Sequence, residues 1–180
     1  DVDITTDNTT GKGLKSTQFV VTFNPAVVTY SSLALGSVTT GRAVDVFSPS
    51  AGVLNVSIYG TDDFVGAGTL GVITFTKVGL PGSSTPVSFG SFLFNEGTAC
   101  LTTTNGSVTI TGGTITGSVT YSEHGGTPLA RAVPGVTISG AGSPPVSALT
   151  DSFGAYSLSG FGAGNYTRSA SKVGQSNGAL

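Results

Sequence analysis

Ser16-Thr17-Gln18-Phe19-Val20-Val21-Thr22-Phe23-Asn24-Pro25 decides the fold class. Phe19, Val21 and Phe23 fall at every second position, so an extended strand puts all three on one face. Asn24-Pro25 then stops it, because the residue before a proline is pushed out of helical conformation and Asn favours turns. The same period continues outward. Residues 53–59 alternate with Leu54, Val56 and Ile58 inward, and Asn55, Ser57 and Tyr59 outward. In 69–78, Leu70, Ile73 and Phe75 want one face, which an extra residue near Gly71 permits, so a β-bulge is expected there. The apolar run 87–94 loses its alternation at Gly90. Residues 107–111, with Val108 and Ile110 inward, follow Asn105-Gly106, a hairpin-type turn pair. Stretches 1–5, 27–30 and 43–47 complete seven or eight short strands, the count of a β-sandwich.

At Gly112-Gly113 the pattern resets. Ile115, Val119 and Tyr121 share a face of the next strand, and Val136 with Ile138, Tyr156 with Leu158, and Tyr166 mark three more. Turn material separates them: Pro134-Gly135, Ser143-Pro144-Pro145 and Asp151-Ser152-Phe153-Gly154. The chain therefore reads as all-β, two tandem sandwiches: residues 1–111, a glycine linker at 112–113, a small second sandwich at 114–170, and an extended tail at 171–180. A core that small usually supplies only about 3–5 kcal/mol.

Composition agrees and excludes much else. Of 180 residues 28 are Gly, only 9% are charged, and Trp and Met are absent. Residues that build ordinary helices are sparse, whereas Thr, Val, Ile, Phe and Tyr favour pleated surfaces. A net charge of −2 with scattered Lys and Arg leaves no basic footprint for nucleic acid. No apolar run approaches the ~20 residues of a membrane helix. Mean hydropathy of +0.27 argues for folding despite the glycine content. The start at Asp1 reads as a processed or excised piece of a longer product, and the Thr/Ser/Gly-rich style is that of secreted and cell-surface proteins.

Two resemblances follow from these segments. Phe19-Val20-Val21-Thr22-Phe23-Asn24-Pro25-Ala26-Val27-Val28, Gly52-Val53-Leu54-Asn55-Val56-Ser57, the segment from Gly66 to Phe75 and Phe94-Asn95-Glu96 resemble a cohesin-type domain. That resemblance implies a jelly-roll-like sandwich of nine strands that binds dockerin modules or serves as a surface scaffold. Asp1-Val2-Asp3-Ile4-Thr5 falls where the family has its second strand, so the first strand is missing. Residues 114–170 resemble the carboxypeptidase-regulatory-like and Cna-B-like prealbumin-type sandwiches through Gly117-Ser118-Val119, the segment from Pro134 to Gly140, Thr150-Asp151-Ser152-Phe153-Gly154-Ala155-Tyr156-Ser157-Leu158 and Gly164-Asn165-Tyr166-Thr167. In the third of these Asp151 should cap a turn and Gly154 take a positive φ, returning Tyr156 to the core. Some Cna-B-like domains carry a Lys–Asn cross-link, but residues 114–121 hold no Lys, and no segment matches a dockerin calcium loop.

A sandwich without its first strand leaves unpaired main-chain groups beside an apolar slot. Two readings stay open: the strand has been cleaved away, or another copy supplies one by adding a strand to the edge at Val2 and Ile4, with the tail and its Val173 and Leu180 as donor. Repeated head to tail, such an exchange builds a filament. The resulting expectation is a non-catalytic extracellular structural or adhesion protein acting by protein–protein contact; the alternative is a dockerin- or carbohydrate-binding module of a larger secreted enzyme or surface complex.

The remaining motifs carry no catalytic, cofactor or metal site. His124 in Glu123-His124-Gly125 reads as a solvated loop histidine, since its neighbours on an extended segment point elsewhere. Cys100 reads as a small buried hydrophobe. Asp62-Asp63 supplies too few oxygens for calcium unless Asp45 or Glu96 joins it. Gly66-Ala67-Gly68-Thr69-Leu70-Gly71 mimics a dinucleotide glycine pattern with no helix behind it. Without Trp, sugar stacking would fall to Tyr30, Tyr59 and Tyr121. Asn8, Asn55, Asn105 and Asn165 head N-glycan acceptor triplets, and Thr102-Thr103-Thr104 could bear O-linked sugars.

Overall fold

The computed structural model describes residues 1–97, 101–121, 131–162 and 165–172. It is all-β, and its contacts divide into two compact units, Asp1–Gly79 with Ser83–Ile110, and Leu80–Gly82 with Thr111–Leu180.

The first unit contains β1 (Val2–Thr6), β2 (Ser16–Thr22), β3 (Val28–Leu35), β4 (Ala43–Ser50), β5 (Val53–Tyr59), β6 (Gly68–Lys77), β7 (Ser84–Phe94) and β8 (Gly106–Thr109). They form two antiparallel sheets, ordered β1-β6-β3 and β4-β5-β2-β7-β8. Alternation places Phe19 and Val21 of β2 and Leu54, Val56 and Ile58 of β5 in the space between the sheets, each at most 2% exposed. Ile4, Phe64, Leu70 and Ile73 join them in one continuous core.

Both predicted irregularities are present. Ile4 pairs with Gly71 and Thr5 with Thr69, which leaves Leu70 as the extra residue of the β6 bulge and turns its side chain into the core beside Ile73. Val20 pairs with Ser91 and Val21 with Phe89, so Gly90 is the extra residue in β7. That bulge lets Phe89 and Phe92, three apart, both reach Phe19, which stacks on Phe92 at 5.3 Å and meets Phe89 edge-on at 6.1 Å. The Asn105-Gly106 turn is a correction. Gly106 is already in β8, paired with Val87, and the Asn105 side chain accepts a hydrogen bond from the Phe89 amide at 3.0 Å. The Asn amide serves a cross-strand bond instead of a tight hairpin.

The second unit contains β9 (Gly113–Ser118), β10 (Thr120–Tyr121), β11 (Arg131–Ala132), β12 (Thr137–Ala141), β13 (Val146–Leu149), β14 (Ala155–Phe161) and β15 (Thr167–Ser171). Its sheets are β13-β12-β15, β14-β9 and the short β10-β11 pair, around Val136, Ile138, Leu158 and Phe161. Asp151 behaves as its turn chemistry demands: its Oδ1 accepts from the amides of Phe153 and Ala155 at 2.8 and 2.9 Å, while Gly154 sits at φ 71°. Tyr156 packs on this core, half-buried. Tyr121 departs from expectation, being 49% exposed. The chain changes partner at Val119, from β14 to β11, so the inward face of β9 does not carry through to Tyr121.

Candidate functional site: an open groove beside the first strand

Where β1 and β8 end their respective sheets, the first sandwich is not closed. A groove of about 920 Å³ runs there, with Val2 and Ile4 of β1 on one wall and Val87, Phe89, Phe92 and Phe94 of β7 on the other. Leu101 to Asn105 also line it, Leu101 packing against the core. Among the described residues β1 pairs only with β6, and β8 only with β7, so each presents a free edge toward this opening. Every second residue of an edge strand aims its N–H and C=O away from its neighbour, and such groups invite a further strand. Phe89 and Phe92 remain half-buried although they pack on fully buried Phe19. The floor is thus core-like side chains that the described residues cover on one side only.

Asn95 holds the groove's end. It follows β7 in left-handed conformation, φ 43°. Its Oδ1 accepts from the amides of Lys15 and Ser16 at 2.8 and 3.2 Å, and its Nδ2 donates to the Gly13 carbonyl at 2.7 Å. One side chain therefore fixes the segment leading into β2. The Phe94-Asn95-Glu96 stretch entered the sequence reading only through the resemblance; a lone Asn after an apolar run carries no signal that its amide reaches back eighty residues.

These features can be set against known proteins. No family model matches the chain, and no curated protein matches it. Among solved structures, the sixth cohesin of Acetivibrio cellulolyticus scaffoldin B, solved in complex with a Cel5 dockerin mutant, aligns at a TM-score of 0.51 with 23% identity, covering 60% of this chain and 85% of that one. The first unit has the fold of a cohesin domain. A non-cellulosomal cohesin from the archaeon Archaeoglobus fulgidus aligns at a TM-score of 0.45 with 16% identity, covering 53% of this chain and 65% of that one.

Within the cohesin-like unit, Val2 is partly buried and Ile4 buried, and both line the groove. Val173 and Leu180 lie outside the described residues, as do His124 and Cys100. Asp62 and Asp63 are exposed, and it is their main-chain carbonyls that are engaged, accepting from Arg42 at 2.7 and 2.9 Å while that guanidinium lies over the Phe64 ring at 4.3 Å. Asp45 is occupied elsewhere: it accepts from the Tyr59 hydroxyl at 3.0 Å, a bond that pushes the phenol's pKa up. Among the described residues no three His, Cys, Asp or Glu gather as a metal site, and no helix is long and apolar enough to cross a membrane. Of the acceptor asparagines, Asn8 is exposed and folded onto the Thr10 amide, Asn55 is half-buried within β5, Asn105 is bonded to Phe89, and Asn165 is exposed.

Proposed function

We propose that this chain is a non-catalytic, extracellular interaction module whose cohesin-like unit receives an extended polypeptide strand in the groove beside β1, and that copies join head to tail in this way. The second unit, read as a prealbumin-type sandwich, is the spacer between successive acceptors. The observation that carries the proposal is an aromatic floor lying directly next to a β-edge, the one uncovered and the other unpaired among the described residues. A flexible small ligand would cover the floor but leave the main-chain groups unmatched; a strand satisfies both at once. Along the five residues of β1 it would add a few main-chain hydrogen bonds, each worth about 0.5–1.5 kcal/mol net.

Sedimentation velocity of the 180-residue chain from micromolar to several hundred micromolar tests this. Concentration-dependent association is expected, lost in Phe92→Ser and Phe92→Asp while circular dichroism stays β-rich. A strictly monomeric chain over the whole range contradicts it.

A second reading has its own observation. The outer face of the five-stranded sheet is poor in charge and carries Phe47 and Leu93, 65% and 41% exposed, and one solved cohesin of similar fold is in complex with a dockerin. On that reading the module binds a dockerin or carbohydrate partner there, and Phe47→Ala abolishes capture while the Phe92 variants do not.

A further inference from the structure

The two units differ in charge in a way that assigns ends. The first unit has seven acidic residues against four basic ones, the second three basic against two acidic. Three of the acids, Asp1, Asp3 and Asp7, lie on or flank β1, and no basic residue precedes Lys12. All three are exposed, because Val2, Ile4 and Thr6 take the inward positions. At the other end of the chain no acid follows Asp151, and the last described strand, β15, carries Arg168 and is followed directly by Lys172. β15 is also an edge: it pairs with β12 and, among the described residues, with nothing on its other side. Each of its residues is exposed. Among the described residues the β1 edge is thus free and acidic and the β15 edge free and basic, in different units.

Their spacings agree. Asp3 and Asp7 are four residues apart on one face of an extended chain, as are Arg168 and Lys172, an interval of about 14 Å at strand rise. We infer that β15, extended by Lys172, from a second copy of this chain is the strand that β1 receives, running antiparallel with Lys172 opposite Asp3 and Arg168 opposite Asp7. Directly opposed residues share a face, so this register sets Ala170 opposite Thr5 on the charged outer face. On the inner face it sets Ser169 and Ser171 opposite Thr6 and Ile4, at the mouth of the groove. Because donor and acceptor edges belong to different units, the contact is heterologous and repeats from copy to copy. The inference rests on the strand-accepting reading above and adds the identity, direction and register of the donor.

The test uses charge exchange in the full chain. Asp3→Lys with Asp7→Lys, and separately Arg168→Glu with Lys172→Glu, should each raise the dissociation constant for self-association at least about tenfold, since each puts like charges face to face. Mixing the two variants in equal amounts should restore association between them. Raising NaCl from 50 to 500 mM should weaken the wild-type contact. All four positions are exposed, and the neutral Arg168→Gln with Lys172→Gln should give an intermediate loss. If wild type associates and the reversed variants associate equally well, or the mixture is no better than its components, this donor and register are wrong while the groove still receives some strand. If wild type does not associate at all, the strand-accepting reading falls with them.

Discussion

Replacing Asn95 isolates how much the groove's end contributes to the first unit. Asn95→Ala removes two accepted bonds, from Lys15 and Ser16, and one donated to Gly13. It also places a residue with no local compensation at φ 43°. Solvent replaces part of each bond, because the site is only half-buried; at about 0.5–1 kcal/mol apiece the three bonds sum to roughly 2 kcal/mol. Left-handed backbone adds about 1 kcal/mol for Ala. The expected loss is therefore about 2–3 kcal/mol, a fall in melting temperature of roughly 8–20 °C for a unit of this size. Two companions separate the contributions. Asn95→Gly keeps the backbone comfortable and should recover about 1 kcal/mol relative to Ala, while Asn95→Asp keeps both acceptors and loses only the bond to Gly13. Urea unfolding followed by tyrosine fluorescence measures all three. A loss below 0.5 kcal/mol for Ala, or an Ala variant as stable as Gly, would refute the reasoning that this amide pins the segment before β2.

Three further outcomes are expected. Thr150 is 4% exposed, accepts from the Val136 amide at 2.9 Å and donates to the Val133 carbonyl at 2.7 Å; Thr150→Val leaves both unmatched and should cost about 1–3 kcal/mol in calorimetry of the second unit. Gly154→Ala combines a positive φ with a Cβ that collides with the Val119 carbonyl, so about 1–3 kcal/mol of strain is expected in the same measurement, against no more than a few tenths for the open, exposed turn position Ser152→Ala. Tyr59 should titrate at higher pH than in Asp45→Asn when phenolate absorbance is followed, because the hydrogen bond to Asp45 and its negative charge both favour the protonated phenol. That bond is intact at neutral pH and is lost as alkali rises through the displaced pKa; an unchanged titration in Asp45→Asn would contradict it.

Much of the fold could be read because the strands of the first unit are half-buried and alternate cleanly. Phe19 and Val21, like Leu54, Val56 and Ile58, announce their inward face by period alone. Even the bulges at Leu70 and Gly90 left a trace, since an apolar pattern that shifts phase without a turn residue requires one extra residue. Tyr121 was misread because a change of partner at Val119 has no counterpart in hydrophobic period. Asn105-Gly106 was misread because the same dipeptide that makes a hairpin turn can spend its side chain on a distant amide, as it does on Phe89. The free edge at Val2 and Ile4 was legible only through the family resemblance, whereas the Phe89–Phe92 floor needed the β7 bulge in three dimensions. Asn95 gave no signal, its partners being main-chain atoms far along the chain.

Amide hydrogen exchange of β1, resolved by residue and compared between dilute and concentrated protein, tests the central claim most directly. An accepted strand should protect the amides of β1 that point away from β6, with protection growing as association grows and vanishing in the Phe92 variants. Exchange in β1 that stays fast and unchanged while the protein demonstrably associates would place the contact elsewhere and contradict the account.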